Sequence, residues 1–294
     1  MDPGSQADSL LSDAAGRPWQ KLKQVDLGLA KSVPSMLNDE EIRFYHWISK
    51  RTASAAGSIV DLGAFIGGAT AHLAEGTRAG GATDKRIFAF DHFSATEKVK
   101  RKQLYPKGIA RFDGEDIFPI SKRLLIPWQP NIVFRRGRIE DSPWRDGPIS
   151  LLVLDASKTT IVTDHIARTF FPHLIPGQSV IIQQDELHWK EPWIAVQMQR
   201  LARCFVPICH IPGNAVAYIC ARRPGPLALR RARVDDLSDE ALIDDLQASS
   251  ERLAAFDVAA KIDRQIAGIR LNPGQRRAWA FKNRPGPLAP RKSS

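Results

Sequence analysis

The 294 residues are 43% hydrophobic and 25% charged, enough apolar material for one full α/β domain plus an extension and too little charge excess for a disordered chain. No run of about 18 apolar residues occurs, so no membrane span is expected, and the opening Met1–Asp13 lacks the basic and apolar regions of a signal peptide, which points to a cytoplasmic protein. The net charge of +10 favours anionic partners, and Cys204, Cys209 and Cys220 sit in apolar stretches, as buried thiols of a reducing compartment do.

Residues 1–35 are polar and weakly periodic, with a short helical stretch around Trp19–Leu29, and are read as an N-terminal extension. Asn38 followed by Asp39, Glu40 and Glu41 is a helix start, capped by the amide and favoured by acids in the first turn; the helix runs through Ile42–Lys50. Ser58–Leu62 is a short apolar strand, Ala69–Glu75 a helix, and Arg86–Asp91 a second buried strand, which together make a βαβ unit. Phe93–Pro130 is long and irregular, the kind of insertion that often covers a site. Asn131–Arg135 and Ile149–Asp155 are further strands, the latter apolar almost throughout, as a strand buried on both faces should be. Thr163–Leu174 is a helix, Ser179–Gln183 a strand and Trp193–Arg203 a helix. Phe205–Ile211 and Ala215–Ala221 flank Pro212-Gly213-Asn214, a hairpin turn. These spans, residues 36–224, form one α/β domain. Arg223-Pro-Gly-Pro-Leu-Ala recurs from Arg284; between the copies Asp235–Arg270 carries apolar residues at helical spacing, so 225–275 is a helical extension and 276–294 a basic, flexible tail.

The informative segment is Ile59-Val60-Asp61-Leu62-Gly63-Ala64-Phe65-Ile66-Gly67-Gly68-Ala69-Thr70. A strand carries an acid near its end, a Gly-x-x-x-Gly-Gly turn follows, and a helix begins. Glycine lets backbone pass close to a ligand, and the helix start offers free amides and positive potential to a carboxylate. Asp61 suits an ammonium group, and Asp91, ending the next strand, suits two ribose hydroxyls. The dinucleotide fingerprint Gly-x-Gly-x-x-Gly is not met, since three residues separate Gly63 from Gly67.

The segment resembles the first signature of class I S-adenosylmethionine-dependent methyltransferases. That resemblance implies a Rossmann-like sandwich with a mostly parallel seven-stranded sheet and a C-terminal antiparallel hairpin. It implies that Asp61, Gly63, Ala64, Gly67, Gly68, Asp91, His92, Glu140 and Asp155 hold the cofactor. Asp155-Ala156-Ser157-Lys158 and Phe171-Pro172-His173-Leu174-Ile175-Pro176-Gly177 further resemble the macrocin O-methyltransferase family and, more distantly, catechol O-methyltransferase. In those families an acid ending this strand and an Asp-Asp or Asp-Asn pair after the next strand bind a metal. Asp155 matches the first ligand; the pair falls on Gln183-Gln184, neutral amides that suit Mg²⁺ poorly, which leaves Asp185 or Glu186 as the substitute. Arg138 stands where the family usually has an acid near the adenine amine, so Glu140 or Asp141 would serve instead.

Methyl transfer asks an enzyme to position the acceptor, exclude water and, for a hydroxyl, remove a proton. Residues at the C-terminal strand ends are the candidates: Asp155, Lys158, Asp185, Glu186 and His188, with His188 the best base by residue type. Trp189 and Trp193 flank this rim and would stack on an aromatic or sugar acceptor or pack in the core. His165 and His173 fall on a helix and its end, where packing or capping roles are expected.

The resulting expectation is an S-adenosylmethionine-dependent O-methyltransferase acting on a small-molecule or sugar-containing acceptor, with Mg²⁺ at Asp155 and Asp185 as its metal-assisted form. Two alternatives stand beside it. A nucleic-acid (RNA) methyltransferase is favoured by charge and disfavoured by the absence of an Asn-Pro-Pro-Tyr-type motif. A non-catalytic scaffold is what the broken metal pair and Arg138 would suggest. The Asp235–Arg270 helices could pair with a second copy in a homo-oligomer or pack within the chain.

Overall fold

The computed structural model describes residues 3–286. Its strands are β1 (Ser58–Leu62), β2 (Ile87–Asp91), β3 (Ile132–Arg136), β4 (Ile149–Leu154), β5 (Val180–Gln183), β6 (Phe205–Ile211) and β7 (Ala215–Cys220). They form one sheet in the order β3-β2-β1-β4-β5-β7-β6. β1 pairs in parallel with both β2 and β4, and β2 with β3; β7 pairs antiparallel with β5 and β6, so the chain ends its sheet in the expected hairpin. The helices are α1 (Pro3–Ala15), α2 (Asp39–Arg51), α3 (Gly68–Ala79), the single turn α4 (Glu97–Val99), α5 (Phe118–Leu124), α6 (Thr160–Phe170), α7 (Pro192–Arg200), α8 (Pro226–Arg231), α9 (Asp239–Arg252) and α10 (Ala259–Leu271). None of them is long and apolar enough to cross a membrane. Two compact units emerge: Ser12–Asp155, and Ala156–Ser294 with Met1–Leu11.

In the 12–155 unit, β1 and β4 are buried along their whole lengths, which explains their unbroken apolar runs. α2 begins as its sequence dictates. The Asn38 side chain accepts from the amides of Glu40 and Glu41, and the Glu41 carboxylate takes the Asn38 amide, a complete capping box. The stretch around Trp19–Leu29 is not one helix. Two 3₁₀ segments, Pro18–Lys21 and Gln24–Ser32, replace it, and the second is kinked at Gly28. Glycine is what this kink accommodates: Gly28 sits at φ +56° against Glu75, and a Cβ there would lie 2.1 Å from its Oε1. Trp19 anchors this segment, fully buried, edge-on to Phe44 with centroids 4.9 Å apart and its indole N–H on Glu40. The insertion after β2 is more ordered than its sequence suggests. Lys100 is buried and donates to the carbonyls of Phe112 and Gly114, tying the helical turns to the loop, and Ser94 and Asp116 form a bridge.

In the 156–294 unit, α6 starts at Thr160, three residues before the sequence-based start, because Thr159 caps it through the Val162 amide. The helical extension resolves into α8, α9 and α10. α7 packs on both α9 and α10, and Leu242, Leu246, Ile262 and Ile269 are buried. The stretch composition reads as a flexible tail begins with residues that are firmly held. Arg276 pairs with Asp239 at 2.7 Å, Thr159 and Arg277 form an antiparallel bridge, and Phe281 is buried edge-on to Trp189 and Trp193. Apolar anchors in a basic sequence decide this: Ala278 and Phe281 bring the segment in. Residues 287–294, including the end of the second Arg-Pro-Gly-Pro-Leu-Ala segment, lie outside the described residues. The three cysteines are buried, free thiols.

Candidate functional site

Two groups of polar residues stand out, one in each unit. In the 12–155 unit, β1 delivers Asp61 into the interior, 1% exposed. Its Oδ2 accepts from the Thr70 hydroxyl at 2.6 Å, while Oδ1 is buried and has no hydrogen-bond partner among the described residues. Burial raises its pKa to about 7 against the pull of Thr70, and the nearby Asp91 charge adds to the rise. A carboxylate oxygen left without a donor in the interior is costly unless a cation or donor arrives.

Asp91 ends β2 and holds the turn. Its Oδ2 accepts from the Phe65 amide at 2.9 Å and its Oδ1 from the Phe93 amide at 2.6 Å. Both donors have left-handed backbone, φ +50° at Phe65 and +54° at Phe93, a conformation that is strained for bulky residues and persists only where neighbours enforce it. Burial raises the Asp91 pKa, opposed by these two amides. A carboxylate has about four acceptor positions, so two bonds to backbone leave room for hydroxyl donors.

The glycines of the turn answer to the chain itself as well as to any ligand. Gly63 (φ +98°) faces the end of β4, where a Cβ would lie 2.6 Å from the Asp155 carbonyl. Gly67 (φ +101°) faces Leu125, and Gly68 lies under Pro34 and Ser35. The chain itself crowds each of these positions, whatever ligand approaches them. Gly67 precedes α3 and offers no side-chain bond to its first-turn amides. Ala64 is buried in the turn, His92 is exposed, and Glu140 pairs with Arg138 at 3.0 Å. Asp155 is half-buried after β4, its amide bonded to the Leu62 carbonyl at 2.8 Å.

In the other unit, Lys158, Asp185, His188 and Glu191 form a network. Lys158 Nζ donates to Asp185 Oδ2 and lies 3.7 Å from Glu191 Oε1. His188 Nδ1 is 2.6 Å from Glu191 Oε2. The backbone sets this spacing with two successive turns: the His188 amide donates to the Asp185 carbonyl and the Glu191 amide to the His188 carbonyl. Residues 185, 188 and 191 thereby step along one turn-like path. Lys158 is fixed from behind, its carbonyl accepting from the Ala278 amide and that of Ser157 from the Trp193 indole. Glu191, only 5% exposed, was missed by sequence reasoning, although the Asp-x-x-His-x-x-Glu spacing is visible in the chain.

Trp193 is fully buried against Phe281 and belongs to the core, whereas Trp189 is half-buried. Gln183 is buried with its amide nitrogen on the Met198 sulfur. Glu186 is fully buried, bonded by the Tyr218 hydroxyl, and burial pushes its pKa up to about 8. Among the described residues no group of three or more His, Cys, Asp or Glu is arranged to hold a metal ion. The donor set at Asp185 does not fit Mg²⁺ either, because the Lys158 ammonium is already on that carboxylate. The Asp155–Asp185 metal expectation is therefore not supported.

No family model matches the chain, and no curated protein matches it by sequence. Solved structures do resemble it. The O-methyltransferase NovP is 13% identical over 75% of this chain and 100% of its own, with a TM-score of 0.50. A candidate rRNA methylase from Clostridium thermocellum is 13% identical over 65% of this chain and 100% of its own, with a TM-score of 0.42. Sheet order, terminal hairpin and the NovP superposition agree: the chain has a Rossmann-like fold, shared with that O-methyltransferase.

Proposed function

We propose that this protein is an S-adenosylmethionine-dependent methyltransferase whose acceptor is a hydroxyl of a small or sugar-containing molecule. The observation that carries the reading is the buried, unpartnered Oδ1 of Asp61 at the end of β1, with Asp91 held at the end of β2 by two left-handed amides. An ammonium group would satisfy Asp61 and draw it into its ionised form, and ribose hydroxyls would take the remaining acceptor positions of Asp91. Gly63, Ala64, Gly67 and Gly68 would supply the turn, with the α3 amides facing a carboxylate; His92, Glu140 and Asp155 are the further contacts proposed. The cofactor supplies an activated methyl group on a sulfonium. The chain's own task is to orient the acceptor, exclude water and take the hydroxyl proton. His188 is the proposed base, with Lys158 beside it to favour the developing oxyanion.

The acceptor class rests on charge pairing. Arg135, Arg136 and Arg138, one of the basic runs of the chain, are paired with Asp146, Asp116 and Glu140. Paired cations release fewer counterions from a phosphate backbone. Calorimetric titration with S-adenosylmethionine and S-adenosylhomocysteine tests the reading. Binding that Asp91→Ala abolishes supports it; a folded natural chain that binds neither ligand removes it and leaves a scaffold role. A salt-sensitive complex with mixed RNA would transfer the acceptor assignment to nucleic acid.

A further inference from the structure

The network in the 156–294 unit has an arrangement that the expected metal chemistry does not explain. It holds two carboxylates, one ammonium and one imidazole, and Glu191 touches both partners: Oε2 is 2.6 Å from His188 Nδ1, and Oε1 is 3.7 Å from Lys158 Nζ. Glu191 is 5% exposed, whereas His188 is 32% and Lys158 39% exposed. The shielded group is thus the one that orients, and the accessible groups are the ones that can meet an acceptor.

We propose that Glu191 is a positioning residue that fixes His188 as a base and holds the Lys158 ammonium on Asp185, so that this ammonium occupies the place of a divalent cation. This deepens the methyltransferase reading and rests on it. A carboxylate can only accept, so the Nδ1 that meets Glu191 must carry its hydrogen. In neutral His188 the lone pair is then on Nε2, on the far side of the ring from Glu191. An acceptor hydroxyl would pass its proton to Nε2 as its oxygen takes the methyl group; the sulfonium leaves as a neutral thioether, and the imidazolium formed is stabilised by Glu191. Lys158 contributes the positive charge that a metal would otherwise supply near the acceptor oxygen, already balanced by Asp185. The same ammonium blocks a metal: a divalent ion at Asp185 would have to displace it or lie against it.

Both halves are read from the histidine ring signals of the full chain by NMR, with no acceptor needed. The chain has seven histidines, so the other six report whether each variant is folded. In the natural chain His188 is expected in the Nδ1–H form; Glu191→Ala should convert it largely to the ordinary Nε2–H form, and Glu191→Gln, which keeps an acceptor oxygen, should restore the first. Manganese is the probe for the cation. Mn²⁺ should leave the His188 signals intact in the natural chain and broaden them beyond detection in Lys158→Met, where Asp185 and the Oε1 of Glu191 lose the ammonium. An Nε2–H form in the natural chain, a tautomer indifferent to Glu191→Ala, or Mn²⁺ broadening of the natural chain at this cluster would each overturn the proposal. These outcomes are independent of cofactor binding, whose failure would remove the methyltransferase reading and leave the network's geometry standing.

Discussion

In the 12–155 unit one acid is fixed by two backbone amides and the other by a single hydroxyl. Asp91 takes amides two and twenty-six residues away, and Asp61 takes a hydroxyl nine residues on. In the 156–294 unit the polar groups are fixed by side chains, Lys158 on Asp185 across twenty-seven residues and His188 on Glu191. The first arrangement stores its cost in an unpartnered buried carboxyl oxygen and in left-handed backbone. The second is partly exposed and joined side chain to side chain. A part that serves one fixed ligand can be built into the backbone of a βα turn, whereas a part that varies with the acceptor is better built from side chains on loops.

The largest expected effect breaks the comparison at Asp61. This acid stays protonated up to about pH 7 in the folded chain but ionises near pH 3.8 when unfolded. Its folded pKa is raised, so the folded state loses stability as pH climbs from 3.8 to 7, and above 7 the loss is constant at about 4 kcal/mol. Asp61→Asn removes the titration. Its stability advantage should be absent below pH 4, grow through pH 5–6 and level off above 7, read from urea midpoints at each pH. The same variant should bind S-adenosylmethionine more weakly at pH 8, and the difference should shrink below pH 7 as the natural carboxyl takes its proton. A variant equally destabilised at every pH would show that Asp61 is merely a packing residue.

What could be read without coordinates divides along the same line. The strand pattern, the capped start of α2 at Asn38 and the acid-glycine turn after β1 are local signals, and β1 and β6 match to the residue. Phe65 and Phe93 were invisible because nothing in a phenylalanine announces φ near +50°; only Asp91, receiving both amides, makes the conformation tenable. The expected helix near Trp19 is broken at Gly28, whose backbone lies against the sequence-distant Glu75 side chain. Glu191 was overlooked because its worth depends on Lys158, brought to it from the loop after β4. Residues 276–283 misled by charge: their arginines advertised a tail, while Phe281 does the anchoring.

That anchor gives the second test. Phe281 is 1% exposed, with ring centroids 6.2 Å from Trp189 and 6.1 Å from Trp193. Phe281→Ala should cost about 3–4 kcal/mol, the usual penalty for emptying an aromatic core site. Because Ala278 holds the Lys158 carbonyl, the variant should also open the 276–283 segment to protease while leaving the 12–155 unit protected. A loss under about 1 kcal/mol would mean that the segment is pinned by Arg276–Asp239 instead of by its aromatic ring.

The smallest effect separates the two explanations for the glycine turn. Gly67 combines φ +101° with a Cβ position 2.7 Å from Leu125 Cδ1. Gly67→Ala should therefore cost about 1–3 kcal/mol, part from backbone strain and part from the contact. Leu125→Ala empties that contact without relaxing the backbone. If internal packing is what requires this glycine, the penalty of Gly67→Ala should fall by about 1 kcal/mol when measured in the Leu125→Ala background, a coupling that a double-mutant cycle of urea midpoints resolves. Additive effects would say that Leu125 yields at no cost and that backbone conformation alone demands glycine. A full-strength S-adenosylmethionine complex in folded Gly67→Ala would then place the ligand's close approach elsewhere in the turn, and a selective loss of binding without loss of stability would return Gly67 to the ligand.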